Sequence, residues 1–344
     1  MMHLENMGKQ KMIFQPEILY EDADLVAVKK PAGWLSQPGQ GEAEGMPDMY
    51  SWLCEREKDK REAEASCQNR ENGREKEKTA RSAGGQDTPP YIGVVHRLDR
   101  GVGGVILFAK TKHAAAVLSE AVQNRTMCKQ YLCVVSGTLA EPMGEYRDFL
   151  YRDAKQNKVY VVDRMRSGVK EAVLWYHVLE TVQIHTLDGN GYDTYSLLLI
   201  TLGTGRSHQI RAQLSHHGTP IVGDGKYGGH RVAVQNVESE IGMQAGEIAL
   251  FSHRMAFLHP MRVPIKQKKK HAVGADGKTK KVSQAPYRQQ IVVSALPAQT
   301  VPQNNGNMEL KILPWGWFSF DFTSNTEIYK EKTVELTEDS HFRP

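Results

Sequence analysis

Cysteine is scarce in this 344-residue chain, which has only Cys54, Cys67, Cys128 and Cys133. No two of them form a CxxC pair and none stands at a zinc-type spacing from histidine. That excludes a disulfide framework and a structural zinc site and leaves ordinary reduced thiols. Long apolar runs are missing as well. No window approaches the roughly 18 apolar residues of a membrane span, and the opening MMHLENMGKQKMIFQPE lacks the apolar centre of a signal peptide. A cytoplasmic location is therefore expected. Charge of one sign does not dominate, since 44 Lys and Arg face 40 Asp and Glu for a net +4, a balance that permits a nucleic-acid partner without requiring one. The glycines after Asp99 match neither GxxxxGK[ST] nor GxGxxG, and an apolar strand-like run follows them where a helix should, so a phosphate-loop reading fails there; HExxH and any internal repeat are also missing. His216 and His217 are adjacent, point to different sides of a helix and have no carboxylate triad beside them, so no metal site is expected.

What is present suffices for a sizeable core: 40% of the residues are hydrophobic, consistent with one large domain carrying insertions. Two segments stand apart. Glu55 to Arg81 mixes charges of both signs with almost no large apolar residue, and reads as a disordered or loosely helical insertion. Lys266 to Lys281 carries Lys266, Lys268, Lys269, Lys270, Lys278, Lys280 and Lys281 against Asp276, and its central GADGK signals a tight turn. A basic hairpin or loop is expected there, either merely solvated or in contact with RNA phosphates.

The remainder reads as many short strands and two helices. EILYEDADLVAVKKP predicts two strands around a turn at Glu21 to Asp24, followed by the loop KPAGWLSQPG. Lys112 to Arg125 has Ala115, Leu118 and Val122 at helical spacing. KQYLCVVSG, KVYVVD, AVLWYHVLETV and YSLLLITLG read as strands. A second helix is predicted from about Arg206, with Gly218 as its stop. This pattern defines an α+β fold with a mixed, largely antiparallel β-sheet flanked by helices and loops.

Two stretches carry chemistry. In VVHRLDRGVGGVILFAK the flanks of Asp99 are apolar, so the carboxylate is expected at the end of a buried strand, beside a turn made flexible by Gly101, Gly103 and Gly104. Such a group is costly without a cationic partner or a task. In GTGRSHQIRAQLSHHGTPIVGDGKYGG the predicted helix puts His208 and Arg211 on one face, with Arg211 beside Ile210 and Leu214. A partly buried guanidinium implies a carboxylate, and Asp99 is the obvious one.

HRLD at 96–99, KQYLCVV at 129–135, GRSHQIRAQL at 205–214 and GDGKYG at 223–228 resemble, in order and rough spacing, the motifs of the RluA-type pseudouridine synthases. KPAGWLSQPG is similar to that family's first motif, and LFSHRMAFLHPMR to the segment closing its catalytic domain. The resemblance implies an isomerase that converts specific uridines of ribosomal or transfer RNA to pseudouridine on a flipped-out base, without cofactor or metal because the reaction has no net redox change and no outside reactant. It implies Asp99 as nucleophile, Tyr131 as the tyrosine that stacks on or deprotonates the base, and Arg211 as the partner of Asp99. Arg97 would take part in RNA binding when the base is flipped, and Ile210 would pack by the base. His96, Arg206, His208 and Gln209 within the motifs, with Lys268, Lys269 and Lys270 of the basic loop, complete the candidate substrate contacts. Attack on the pyrimidine ring or on the ribose carbon stays open.

The resemblance divides the chain into a 1–17 extension too short for an S4 domain, a catalytic domain at 18–262 with a charged disordered insertion at 55–90, and a basic loop with C-terminal extension at 263–344 packing on it. Structured RNA is the expected partner, with no protein partner evident and a monomer expected. One departure stands out: Val102, Gly103 and Gly104 replace the family's Thr-Ser-Gly, which removes two hydroxyls near the proposed nucleophile. The rival reading is a catalytically inactive RNA-binding protein on the same scaffold. A glycosidase would need two placed carboxylates, whereas these motifs supply one firm acid, Asp224 reading as a turn residue.

Overall fold

A computed structural model describes residues 15–71, 89–186, 190–229, 248–260, 271–273, 279–281 and 290–295. In chain order the elements are β1 (Glu17–Glu21), β2 (Leu25–Lys30), α1 (Met49–Glu71), β3 (Gly93–Val94), β4 (Gly103–Ala109), α2 (Lys112–Gln123), β5 (Cys128–Ser136), β6 (Met143–Asp153), β7 (Lys158–Val162), β8 (Val169–His185), β9 (Tyr192–Leu202), α3 (Gln209–His216), β10 (Leu250–Leu258), β11 (His271–Val273), β12 (Thr279–Lys281) and β13 (Gln290–Ser294).

One large sheet runs β1-β2-β4-β10-β5-β9-β8-β6-β7, with β3 joined to β4 and β13 to β10. All its pairings are antiparallel except β4 with β10, where Phe251 and Ser252 lie opposite Gly103 and Gly104. The fold is thus the α+β arrangement of a mixed, largely antiparallel sheet with few helices. Among the described residues no helix is long and apolar enough to cross a membrane.

β2 and β4 are covered on both faces, and the LVAV of β2 and the GGVILFA of β4 are accordingly apolar without alternation. Leu25, Ala27, Val105 and Leu107 pack under α2 with Ala114 and Leu118. Val26, Val28, Ile106 and Phe108 pack on the opposite face with Met49 and Leu53 of α1 and Ile210 and Leu214 of α3. Thr111 caps α2 by accepting from Ala114 N–H, the role a threonine takes where the first turn leaves amides unpaired.

The expected strand pair at 17–30 and helix at 112–125 are both in place. Three other expectations need correction. The charged stretch expected to be disordered or loosely helical is not disordered over its first part but helical, because Glu55 to Glu71 continues α1. Asp48 caps that helix through Ser51 N–H, and Met49 and Leu53, one turn apart and fully buried, fasten its start to the core. Beyond this anchor Ala, Glu, Lys and Arg are good helix formers, and Arg56 and Lys60 tie the exposed helix to Glu21 of β1 at 2.9 and 2.8 Å. Residues 72–88 lie outside the described set.

The second correction concerns Asp99. β3 ends at Val94, so residues 95–99 form an irregular segment rather than a buried strand. Third, the helix expected from Arg206 begins at Gln209. GEYRDFLYRD, for which no element was expected, forms β6, a strand with one face toward solvent. In the basic segment β11 pairs antiparallel with β12, while Lys268, Lys269 and Lys270 lie outside the described residues.

Candidate active site

The segment bearing Asp99 has no ladder of its own and is held by its neighbours. Ser36 brackets Leu98, donating to its carbonyl and accepting from its N–H, both at 3.0 Å. The Arg100 carbonyl takes Gly33 N–H at 2.8 Å and the ammonium of fully buried Lys30 at 3.3 Å, and that ammonium also donates to the carbonyls of Pro31 and Trp34. Val102 N–H closes a turn onto the Asp99 carbonyl at 3.0 Å. The loop KPAGWLS is therefore a clamp on HRLDR, which gives an irregular segment a fixed geometry.

The glycine pair after the turn answers to β10. Gly104 has φ of +111°, and a Cβ there would run into the Ser252 carbonyl. Glycine is the residue that tolerates both the backbone angle and the approach. At Gly103 a Cβ would meet the Lys30 carbonyl and the Phe251 ring at 3.3 Å, and Val102 is buried in the core. The departure from Thr-Ser is thus matched by tight apolar packing.

Arg211, in the first turn of α3, links two carboxylates. Its Nη1 donates to Asp99 Oδ2 at 2.9 Å, while Nε and Nη2 form a fork onto Asp224 at 2.6 and 2.8 Å. The Asp224 side chain is 1% exposed, that of Arg211 12% and that of Asp99 33%. Burial alone would lower the Arg211 pKa, but Asp224, and then Asp99, hold it well above its ordinary value. The expected Asp99–Arg211 pair is present. The reading of Asp224 as only a turn residue is corrected, because it is also the main counter-ion of Arg211. With both oxygens committed and almost no exposure, Asp224 is not available as a second acid or base.

His208 precedes α3 as its N-cap, with φ of 48° and ψ of 23°, so it does not share the helix face with Arg211 as expected. It nevertheless reaches the site: Nε2 lies 3.7 Å from Asp99 Oδ2 and Nδ1 lies 2.8 Å from the Tyr227 hydroxyl. Burial pushes its pKa down against the pull of Asp99, leaving a neutral ring. Tyr227 comes from the turn after Asp224, and its ring faces the Arg211 guanidinium with 5.0 Å from centroid to Cζ.

Tyr131, on β5 opposite Ser252 of β10, is buried. Burial raises its pKa well above the ordinary value; the Ser252 hydroxyl opposes this slightly and the Asp99 charge adds to it. The resting side chain is therefore a neutral phenol within the field of Asp99.

The other candidates divide. Gln209 is 3% exposed and fully used: its carbonyl accepts from Thr204 and Arg206 N–H, and its amide donates to the Val173 carbonyl. It latches the loop before α3 rather than facing a substrate, which corrects the expectation. His96 accepts from Leu107 N–H at 3.2 Å and is kept neutral by burial and by the Lys129 charge, so it too serves the scaffold. Ile210 is packed in the core. Arg97 is exposed. Arg206 donates to the Glu171 carbonyl and lies close enough to Arg125 to be repelled by it, while the Lys129 ammonium sits against Gly205. Arg125, Lys129 and Arg206 thus gather beside the loop before α3 as a basic rim. Tyr227, Lys30, Ser36 and Lys129 were not singled out from the sequence, although all four lie in the quoted motifs KPAGWLSQPG, KQY and GDGKYG. Among the described residues no group of three His, Cys, Asp or Glu is placed to hold a metal ion.

Comparison with known proteins shows the family. The family described as RNA pseudouridylate synthase matches residues 24–216, and the chain belongs to it. Ribosomal large subunit pseudouridine synthase D of Xylella fastidiosa is 32% identical over 253 residues, 72% of this chain and 62% of the relative. The tRNA pseudouridine synthase C of Haemophilus ducreyi is 30% identical over 251 residues, 71% of this chain and 86% of the relative. The chain thus spans less than two thirds of the first relative's length. A solved structure, Human RNA Pseudouridylate Synthase Domain Containing 4, overlays with a TM-score of 0.46 at 22% identity, covering 70% of this chain and 84% of that one.

Proposed function

We propose that the protein isomerises specific uridines of ribosomal or transfer RNA to pseudouridine, with Asp99 as nucleophile. The observation that carries the reading is the state of that carboxylate. Oδ2 is held by Arg211, whereas Oδ1 has no hydrogen-bond partner among the described residues, and one third of the side chain is open to solvent. A carboxyl group aimed by Arg211 and one-third open, next to a buried tyrosine, is suited to covalent attack as its carboxylate. The oxygen donates an electron pair to a carbon of the pyrimidine ring or of the ribose, and the bond from N1 to the ribose breaks. The base turns, C5 bonds to the ribose carbon and loses its proton, and Asp99 is released as a carboxylate. Electrons balance without an outside oxidant or reductant.

A base stacked in a helix cannot reach this floor, so the uridine must be flipped out at a cost of a few kcal/mol. Stacking on Tyr131 would offset about 1–3 kcal/mol of that. Because the phenol is neutral at rest, it can take up the C5 proton only by passing on its own, and the Ser252 hydroxyl stands beside it. Arg125, Lys129, Arg206 and exposed Arg97 suit the phosphates, which set position rather than sequence.

Pseudouridine mapping of total RNA from cells with the wild-type gene, without it, and with Asp99→Asn tests the reading. A site lost in both altered strains is expected, with Asp99→Asn protein still binding that RNA. A site that persists with Asp99→Asn refutes the nucleophile, and no altered site at all favours the inactive RNA-binding scaffold.

A further inference from the structure

The Tyr227 hydroxyl has two hydrogen-bond partners among the described residues. It accepts from the Val159 N–H at 2.8 Å and lies 2.8 Å from Nδ1 of His208. The phenol has one proton, and burial keeps it in place by raising its pKa. With Val159 already donating to the oxygen, the phenolic proton must be directed at Nδ1, since otherwise a buried O–H would go without an acceptor. Nδ1 is then the bare nitrogen, and a neutral imidazole with a bare Nδ1 carries its proton on Nε2. Nε2 is the nitrogen turned toward Asp99, and it faces Oδ2, the same oxygen that takes Arg211.

The backbone supports the same conclusion. His208 is one of three non-glycine residues with positive φ among the described residues. Such a conformation is strained for a side chain with a Cβ and persists where its surroundings over-determine it. Here the turn places the imidazole between Tyr227 and Asp99, while the His208 carbonyl begins the helix by accepting from Ala212 N–H at 2.9 Å.

We propose that Tyr227 is a positioning residue that fixes His208 as its Nε2–H tautomer, so that the Arg211 hydrogen bond at 2.9 Å and the Nε2–H dipole of His208 at 3.7 Å both bear on Oδ2 of Asp99 and reserve Oδ1 for attack. The inference rests on the reading of Asp99 as nucleophile. It adds that a single turn, Asp224 to Tyr227, sets both partners of the nucleophile, the first residue holding Arg211 and the last holding His208.

The test is the nitrogen NMR spectrum of full-length protein labelled at histidine, with His208 assigned from the signal lost in His208→Gln. The wild-type protein at neutral pH is expected to show a protonated Nε2 and a bare Nδ1 at His208. In Tyr227→Phe the signal should change to a mixture of tautomers. Its kcat should fall about tenfold, the equivalent of one lost hydrogen bond, with KM for RNA unchanged. His208→Gln, whose amide can donate from nearly the position of Nε2, should keep more kcat than His208→Asn. A wild-type spectrum with Nδ1 protonated, or with a charged ring, overturns the proposal even if Tyr227→Phe folds poorly. So does a Tyr227→Phe variant with unchanged kcat. The spectrum needs no RNA, so its outcome is independent of whether the Asp99→Asn mapping supports the synthase.

Discussion

Asp224→Asn removes a charge and almost no volume, so its effect isolates the second carboxylate. In the native site Arg211 spends two of its three donor directions on Asp224, at 2.6 and 2.8 Å, and the third on Asp99 at 2.9 Å. An asparagine can accept from one of the first two donors but turns its own N–H toward the other. Removing one partner of a buried ion pair costs about 3–5 kcal/mol, because the remaining charge is left uncompensated. Asp99 still neutralises Arg211 from the other side and is one-third exposed, which places the cost at the lower end, about 3 kcal/mol. For a domain of this size each kcal/mol moves the midpoint by about 2–4 °C, so Tm should fall by about 6–12 °C. Urea and thermal unfolding of the wild type, Asp224→Asn, and the double variant Arg211→Met with Asp224→Leu would measure it. The double variant should recover most of the stability, since replacing a whole buried pair with apolar groups is often neutral, and it should be inactive. If Asp224→Asn lies within about 1 kcal/mol of the wild type, below the buried-pair range, or the double variant is no more stable than the single, Asp224 is not the counter-ion described here.

Gly104→Ala should cost at least about 2 kcal/mol through forced positive φ and collision with the Ser252 carbonyl; denaturant titration giving wild-type stability would contradict that close approach. Glu21 offers a pH-dependent case. Burial pushes its pKa up, but Arg56, Lys110 and Lys60 outweigh this and hold it below the ordinary range. A depressed carboxyl pKa contributes stability that is complete above the unfolded value of about 4.3 and is lost as pH falls below it. The gap in stability between the wild type and Glu21→Gln should therefore be widest at neutral pH and close in acid; a gap constant with pH would show that the ion pairs contribute nothing.

The pairing of Asp99 with Arg211 was legible because both residues stand among apolar neighbours, and burial forces opposite charges together whatever the exact fold. The strands at 17–30, 128–136 and 192–202 were legible from β-branched runs, and the end of α3 from Gly218, which takes φ of +82°. Asp224 was not, and the reason is physical rather than a matter of a weak signal. GDGKYG has the composition of a turn and its backbone does make one, with Tyr227 N–H and Gly229 N–H bonded to the Asp224 carbonyl. Backbone and side chain of the same residue do different work, and only the approach of α3 shows the second task. α1 misled in the opposite direction: the composition that cannot form a core alone is also the composition of a solvated helix, and the difference was made by Met49 and Leu53 in its first turns. β6 has too few apolar residues to reveal itself, since only Leu150 on it is fully buried.

The arrangement of charge bears on how a polyanion could use such a site. At the floor, two carboxylates share one guanidinium and His208 is neutral, which leaves one net negative charge beside the reacting carbon. Phosphate is repelled from such a floor, and a neutral base is not. At the rim, Arg125, Lys129 and Arg206 lie beside the Gly205–Arg206 loop, close enough to one another or to His96 to shift its titration, and they attract what the floor rejects. On the proposed reading, a nucleotide entering this gradient would be oriented before any hydrogen bond forms, backbone toward the cations and base toward Asp99. The second carboxylate thereby has a role beyond stability. Without Asp224 the floor would be neutral and Arg211 would be free to turn wholly onto Asp99; on the proposed reading, the electrostatic distinction between base and phosphate would then be lost beside Asp99.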